Sequence, residues 1–174
     1  MTYDKWGLAG IHGINKYVWS LLQSELGWNT TTYGGLIPIT VPQQEPEFNA
    51  INAPYLVYGY TKSSRSKDVY VLETETAAYS IYSASEEDIR RVVNLLSTKL
   101  NKLDDTANDI NTYISANGSQ ANKEFDYKWV KCMSAQGSQP SIQIGGRFDG
   151  AVIVRYEYTQ YKVTDPGVPD SIRY

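Results

Sequence analysis

Cysteine occurs once in this chain, at position 132, and histidine once, at position 12. A single cysteine closes no disulfide within the chain and cannot supply a thiolate zinc site from one copy. Such sparing use reads as a reducing compartment, such as a cytoplasm. The lone histidine also restricts nucleophilic catalysis, since a Ser–His–Asp or Cys–His arrangement would have to run through His12. His12 stands between Gly10 and Gly13 at the start of a predicted helix, with no orienting carboxylate near it in sequence, so it reads as an ordinary helix residue. Cationic excess is missing too: 16 Lys and Arg stand against 19 Asp and Glu, a net charge of -3. A chain whose main task is gripping nucleic acid needs a positive footprint to displace counterions from phosphate. No run approaches the roughly 18 apolar residues that cross a bilayer. Trp6 to Ile11 is too short for a secretory signal and is followed by His12 and Asn15, so a soluble protein is expected. Neither a phosphate-cradling glycine loop nor a dinucleotide fingerprint occurs, and Gly145-Gly146 precedes a strand pattern, which makes it a turn.

What the chain has in plenty is tyrosine: 15 residues against 3 Phe, within an aromatic share of 13%. Tyrosine couples an apolar ring to a polar tip. It therefore suits surfaces buried on one side and wet on the other, and it is also common in strands. At 174 residues, 41% hydrophobic and 20% charged, the chain makes about one domain with a core of ordinary size. The expected division is a single domain over residues 1–163 and a proline-bearing tail over residues 164–174.

Apolar periodicity places the elements. Ile14, Tyr17, Val18, Leu21, Leu22 and Leu26 recur at helical spacing between residues 10 and 26, with Gly27 suited to the left-handed residue after the helix. Leu36 to Val41 is a short strand stopped by Pro42, and Gln43 to Pro54 an extended connection. Pro54 to Tyr60, Asp68 to Thr74 and Thr76 to Tyr82 read as three strands. A helix follows, capped by Ser85 with Asp88 three positions on, and Glu86 and Glu87 favour its positive end. Ile89, Val92, Val93, Leu96 and Leu100 form its apolar stripe. Asp104 or Asp105 starts a further helical segment carrying Ala107, Ile110, Tyr113 and Ile114. Asn117-Gly118-Ser119 is a turn, Phe125 to Met133 a strand, and Arg147 to Tyr161 the longest strand. Ser134 to Gly146, rich in Gly, Ser and Gln, reads as a loop that is mobile or ordered by a partner. The predicted class is α+β: a mostly antiparallel sheet of about four to six strands with two or three helices packed on one face.

Chemistry-bearing candidates are few. Glu73 and Glu75, two apart on a strand, have the spacing of paired carboxylates for a metal or a glycosidic bond, but a solvated strand face is the plainer reading. Asp126-Tyr127-Lys128 matches the D-x-K end of a metal-dependent nuclease site, in which the lysine helps activate water. A pattern this short, without an upstream Pro-Asp pair, carries little specificity. The stretch Lys62 to Lys67 sets three cations, Lys62, Arg65 and Lys67, among Ser63, Ser64 and Ser66. It reads as a solvated loop between strands, with contact to an acidic partner surface or a nucleic-acid backbone as the sharper alternative.

Three segments together carry a resemblance: APYLVYGY at Ala53 to Tyr60, SASEEDIRRVVNLL at Ser83 to Leu96, and RFDGAVIVRYEYTQY at Arg147 to Tyr161. With the N-terminal helix before them, their order resembles the tail terminator, or tail-completion, family of long-tailed bacteriophages, of the lambda terminator type. The match runs from about Ile11 to Tyr161 and rests on hydrophobic pattern; Leu103 to Lys123, the Gly/Ser/Gln stretch and the tail are not matched. The resemblance implies a homo-oligomer, a hexameric ring that caps the tail tube protein, stops its polymerisation and meets the head connector or neck proteins. The sheath is a further candidate partner, DNA passes through the lumen, and no membrane is involved. It implies no catalytic residue, no cofactor and no metal, and a place in the virion after assembly in the host cytoplasm. Two other classes stand beside it: another head-completion or connector protein, and a small metal-dependent nuclease using Asp126 and Lys128.

Overall fold

In the computed structural model, which describes residues 10–29, 36–38, 54–66, 70–117, 125–142 and 145–161, the first apolar stripe folds as helix α1, Ile11–Leu26. Ile11, Ile14, Val18, Leu21 and Leu22 are buried along one side. Gly27 takes the left-handed conformation, with φ 69°, and its N–H closes the helix onto the Gln23 carbonyl. Strand β1, Leu36–Pro38, runs parallel to Leu56–Tyr58 of β2, which spans Tyr55–Ser66. β3, Tyr70–Ser83, pairs antiparallel with β2 on one side and with β5, Phe148–Tyr161, on the other. β4, Phe125–Pro140, completes the sheet in the order β1-β2-β3-β5-β4. Two further helices follow β3: α2, Glu86–Lys99, and α3, Asp104–Asn117. The α+β class with a mainly antiparallel sheet is what the residue pattern predicts.

Alternation decides which sheet face meets the helices. Ala77, Tyr79 and Ile81 of β3 and Val152, Val154, Tyr156 and Tyr158 of β5 are buried in one cluster with the apolar stripes of all three helices. The opposite face carries Thr61, Thr74, Thr76, Ala78, Ser80, Ala151, Ile153 and Arg155, none of them buried, and no described helix covers it. On α2, Ser85 Oγ accepts from the Asp88 N–H at 3.4 Å, while Ser83 Oγ donates to the Asp88 carboxylate at 3.1 Å. Ile89, Val92, Val93 and Leu96 then turn inward, each worth about 1.5–3 kcal/mol of burial before entropy. Seven of the 15 tyrosines are buried in the chain's own interior, so core packing accounts for a good part of the tyrosine excess.

Several boundaries differ from the sequence reading. Tyr70 to Thr74 and Thr76 to Tyr82, expected as parts of two strands, form one, because Glu75 sits inward with its carboxylate fully partnered and does not interrupt the ladder. The stretch expected as a basic loop is mostly strand: Lys62 pairs with Glu75 and Arg65 with Leu72 in a hairpin whose long β3 arm supplies the partners. Ser134 to Pro140 is also strand rather than loop, since β5 offers it a backbone to pair with. Three register shifts in β4, at Tyr127/Trp129, Cys132/Ser134 and Gln136/Gln139, absorb its extra residues as bulges. The expected connection over Gln43 to Ala53, Lys67, the turn at Gly118-Ser119 and the tail from Thr164 lie outside the described residues.

Leu103, between α2 and α3, is the one described residue other than glycine with positive φ, at 48°. That strained conformation aims its carbonyl at two donors, the N–H of Ala107 at 3.1 Å and of Val130 at 3.3 Å. Its side chain is half exposed and holds little of the core. Leu103→Gly is therefore expected to raise stability by about 0.5–1 kcal/mol, and Leu103→Val to lower it by a similar amount, as read from urea midpoints.

Candidate functional site

Two strands bring acids and tyrosines face to face. In the β3–β5 register Glu73 lies opposite Tyr158 and Glu75 opposite Tyr156, all four on the face that meets the helices. Glu75 is fully buried. Its carboxylate accepts from the N–H of Gly10 at 3.2 Å, the N–H of Ile11 at 2.9 Å, the hydroxyl of Tyr156 at 2.5 Å and the hydroxyl of Tyr158 at 2.6 Å. Two of those donors are amides at the start of α1, which a helix leaves without internal acceptors and which carry its positive pole. Glu75 is thus the cap of α1, supplied from across the sheet. Tyr158 also donates to Glu73 Oε2 and accepts from the Gly10 N–H at 2.9 Å. Glu73, 4% exposed, receives Lys62 Nζ at 2.7 Å. Tyr127 donates to the Gly10 carbonyl, and Tyr79 to Asn15 Oδ1 at 2.8 Å.

Glycine makes the approach of α1 possible. A Cβ on Gly10 would lie 2.6 Å from Tyr158 Cζ, and one on Gly13 would lie 2.8 Å from Ile114 Cδ1, so any larger residue there displaces the helix or the rings. Burial, with the Glu75 carboxylate adding to it, pushes the hydroxyls of Tyr127 and Tyr156 well above the usual phenol range, and it does the same to Tyr79. For Tyr158, burial acts first and its bonds to Glu73 and Glu75 next, in the same direction. The phenols are held as donors. The expectation that Glu73 and Glu75 form a solvated face is overturned: both point inward, drawn by the α1 amides and the tyrosine hydroxyls. As arranged, the carboxylates are occupied in holding a helix down. Among the described residues no three of His, Cys, Asp and Glu come together in a way that could hold a metal ion.

A second feature lies along β4, the outermost strand on its side of the sheet. The first half of its outer edge is sealed. Asn111 of α3 receives the Tyr127 N–H at 2.9 Å and returns its amide N–H to the Tyr127 carbonyl at 2.9 Å and to Asp126 Oδ1 at 3.1 Å. The Leu103 carbonyl takes the Val130 N–H. Beyond Cys132 the seal stops: among the described residues no backbone group from Cys132 to Pro140 bonds outside the sheet. Met133, Gln136, Gly137, Gln139 and Pro140 are exposed, Ile142 is 96% exposed, and residues 134–146 contain no charged side chain.

The other sequence candidates do not converge. His12 is exposed on α1. Asp126 and Lys128 pair with each other at 2.5 Å, both partly exposed, and Asn111 holds the second carboxylate oxygen. Lys62 stands on β2 and is engaged by Glu73, Arg65 occupies a strand position opposite Leu72, and Lys67 lies outside the described residues. A cavity of about 40 Å³ between Leu26, Trp28, Asp88, Arg91 and Val92 has room for two or three waters, not for a metabolite. No described helix is long and apolar enough to cross a membrane. What the sequence reading missed is the acid–tyrosine cluster and the half-sealed edge. The first had a signal, two acids and two tyrosines each spaced by two on candidate neighbouring strands. The second had one in the charge-free composition of residues 134–146. Compared with models of known protein families and with curated proteins, the chain matches none.

Proposed function

We propose that this chain is a structural assembly protein, the ring subunit of a phage tail terminator, which caps the tail tube and joins the tail to the head connector. One observation carries the reading: the outer edge of β4 is closed by Asn111 and Leu103 along its first half, while its second half is uncharged and, among the described residues, takes no backbone partner outside the sheet. Soluble proteins usually guard such an edge with lysine, proline or a covering element, because an open edge recruits strands from other chains. Here Lys128 and Lys131 guard only the closed half. The bulges curl the open half, which suits a short, twisted contact with one neighbour better than endless stacking. Repeated head to tail, a contact of that kind closes into a ring when the rotation permits.

The order of elements, which resembles that of the family named above, supports the same reading. So does the use of Glu73 and Glu75 to secure α1, which leaves the interior without an accessible acid pair. The paired state of Lys62 moves weight from the basic stretch to the β4 edge as the principal contact, with Arg65 and Lys67 remaining candidates for an acidic tube rim or for DNA in the lumen. The virion neck and the host cytoplasm are the places where such a protein works and assembles.

Native mass spectrometry, and electron microscopy of the protein mixed with tail tubes, test this. A closed ring and tubes of arrested length with a capped end are expected. The paired substitution Ser134→Lys with Gln136→Lys is expected to weaken ring formation at least about tenfold and leave the melting temperature within about 2 °C, since both residues are exposed and only the open edge is charged. A strict monomer that never caps tubes removes the reading.

A further inference from the structure

We infer that the second half of β4 pairs with β1 of a second copy, edge to edge and head to tail. The inference rests on the ring reading above and names the surface that the β4 edge meets. Its first support is register. Across the sheet, Ile37 lies opposite Val57, Val57 opposite Ser80, Ser80 opposite Ala151 and Ala151 opposite Gln136. The adjoining row runs from Pro38 through Tyr58, Tyr79 and Val152 to Ala135. The short strand at one edge and the uncharged half of β4 at the other thus stand on the same rows. β1 is parallel to β2, and three antiparallel steps separate β2 from β4, so β1 and β4 run in opposite senses. Two copies side by side in the same orientation therefore meet with these strands antiparallel, the sense with the stronger ladder. Residues on one row share a face, so joining row to row keeps the helix-bearing faces of all copies on one side. The join needs no slide along the strands. Repetition without slide turns instead of climbing, and the copies close into a ring rather than a filament.

Charge is the second support, and it is independent of register. Residues 28–44 around β1 and residues 132–146 around the second half of β4 contain no Asp, Glu, Lys or Arg. The neighbouring stretches of both edges carry cations. Lys62 on β2 lies on the row of Val130, between Lys128 and Lys131 of β4. Adjacent copies therefore turn like charge toward like charge on that row, and neutral backbone toward neutral backbone on the rows of β1. Repulsion excludes the wrong stretch while the neutral stretch admits a strand. Asn111 and Leu103 act in the same sense, because they already occupy the first half of β4. With three residues, β1 gives each joint only a few backbone bonds, which suits an assembly held by closure rather than by any one joint.

Disulfide cross-linking of the full chain, in a Cys132→Ser background, tests the pairing. Ile37→Cys with Gln136→Cys is expected to give, on mild oxidation, a ladder of linked oligomers ending at the size of the ring, with a yield at least about tenfold above either substitution alone. Ile37→Cys with Ser134→Cys, which lies opposite Ile153 and so off the row, is expected to link at least about fivefold less. Linkage by Gln136→Cys alone, the result of two β4 edges meeting, overturns the inference. A ring seen by native mass spectrometry in which the Ile37 and Gln136 positions do not link overturns it too, and leaves the ring reading standing. A linked ring that never arrests tail tubes supports the pairing and removes the tube-capping role. A strict monomer removes both. Should a cysteine variant fail to fold, amide exchange on the unaltered chain, assembled against dilute, decides. Leu36 or Ile37 and residues 134–138 are expected to slow together at least about tenfold on assembly, and slowing on β4 without β1 overturns the pairing.

Discussion

Glu75→Ala is expected to lower the unfolding free energy by about 3–5 kcal/mol, the largest effect of any single side chain described above. The residue accepts four hydrogen bonds and is fully buried, so truncation leaves donors in a place water does not reach. The losses are unequal. Gly10 N–H keeps the Tyr158 hydroxyl and Tyr158 keeps Glu73, whereas the Ile11 N–H and the Tyr156 hydroxyl lose the acceptor that held them. Two unsatisfied buried donors at about 1–3 kcal/mol each, plus the space vacated, account for the figure. Set against a typical total of about 5–15 kcal/mol, it takes the fold close to its limit. Glu75→Gln keeps the shape and one acceptor oxygen and should cost roughly half as much. Urea unfolding of the three proteins gives the comparison, and the loss should change little between low and high salt because the site is dry. A loss below about 1 kcal/mol for the alanine variant would mean that α1 is not held by Glu75.

How far such an anchor can be read in advance depends on whether its determinants are local. Helix α2 was legible because its cap, its acidic first turn and its apolar stripe all lie within one short run, and its placement on the sheet follows from the stripe. α1 and the left-handed Gly27 were legible for the same reason. β3 was not, because Glu73 and Glu75 occupy the core side of an otherwise apolar alternation. Only the register with β5, set by residues some 80 positions further on, explains how acids are tolerated there. Gly10 and Gly13 show the same limit: the sequence marks the start of a helix, but not that tyrosines of β4 and β5 press against its backbone. The second half of β4 is poor in β-branched residues and reads as a loop; its partner strand, not its own propensity, makes it a strand. The open edge is thus invisible to propensity and visible only once the sheet order is known. Its neutrality, by contrast, was in the sequence throughout.

The same tyrosines that serve the cluster predict how the fold fails in alkali. Stability should be flat up to about pH 10 and fall steeply above it. Burial holds the hydroxyls of Tyr79, Tyr127, Tyr156 and Tyr158 well above the ordinary phenol value of 10, and it pushes Tyr55 up to about 12 against the pull of the Arg147 guanidinium. The sign follows from proton binding. Below pH 10 folded and unfolded chains hold the same phenolic protons, so stability is complete. Above it the unfolded chain releases them and the folded chain does not, so each further rise favours unfolding. Each such tyrosine contributes a slope of up to about 1.4 kcal/mol per pH unit, and five acting together remove several kcal/mol within one unit. Unfolding should therefore be cooperative and centred between about pH 10.5 and 12. Tyrosinate absorbance and far-ultraviolet circular dichroism, recorded on the same titration, check it. The buried phenols are expected to ionise in the step that loses the strand signal, because their protons leave only when the sheet opens. A titration in which they ionise gradually while the dichroism stays native would show that water and hydroxide already reach the cluster, and with that the dry anchor of α1 would be lost as an explanation.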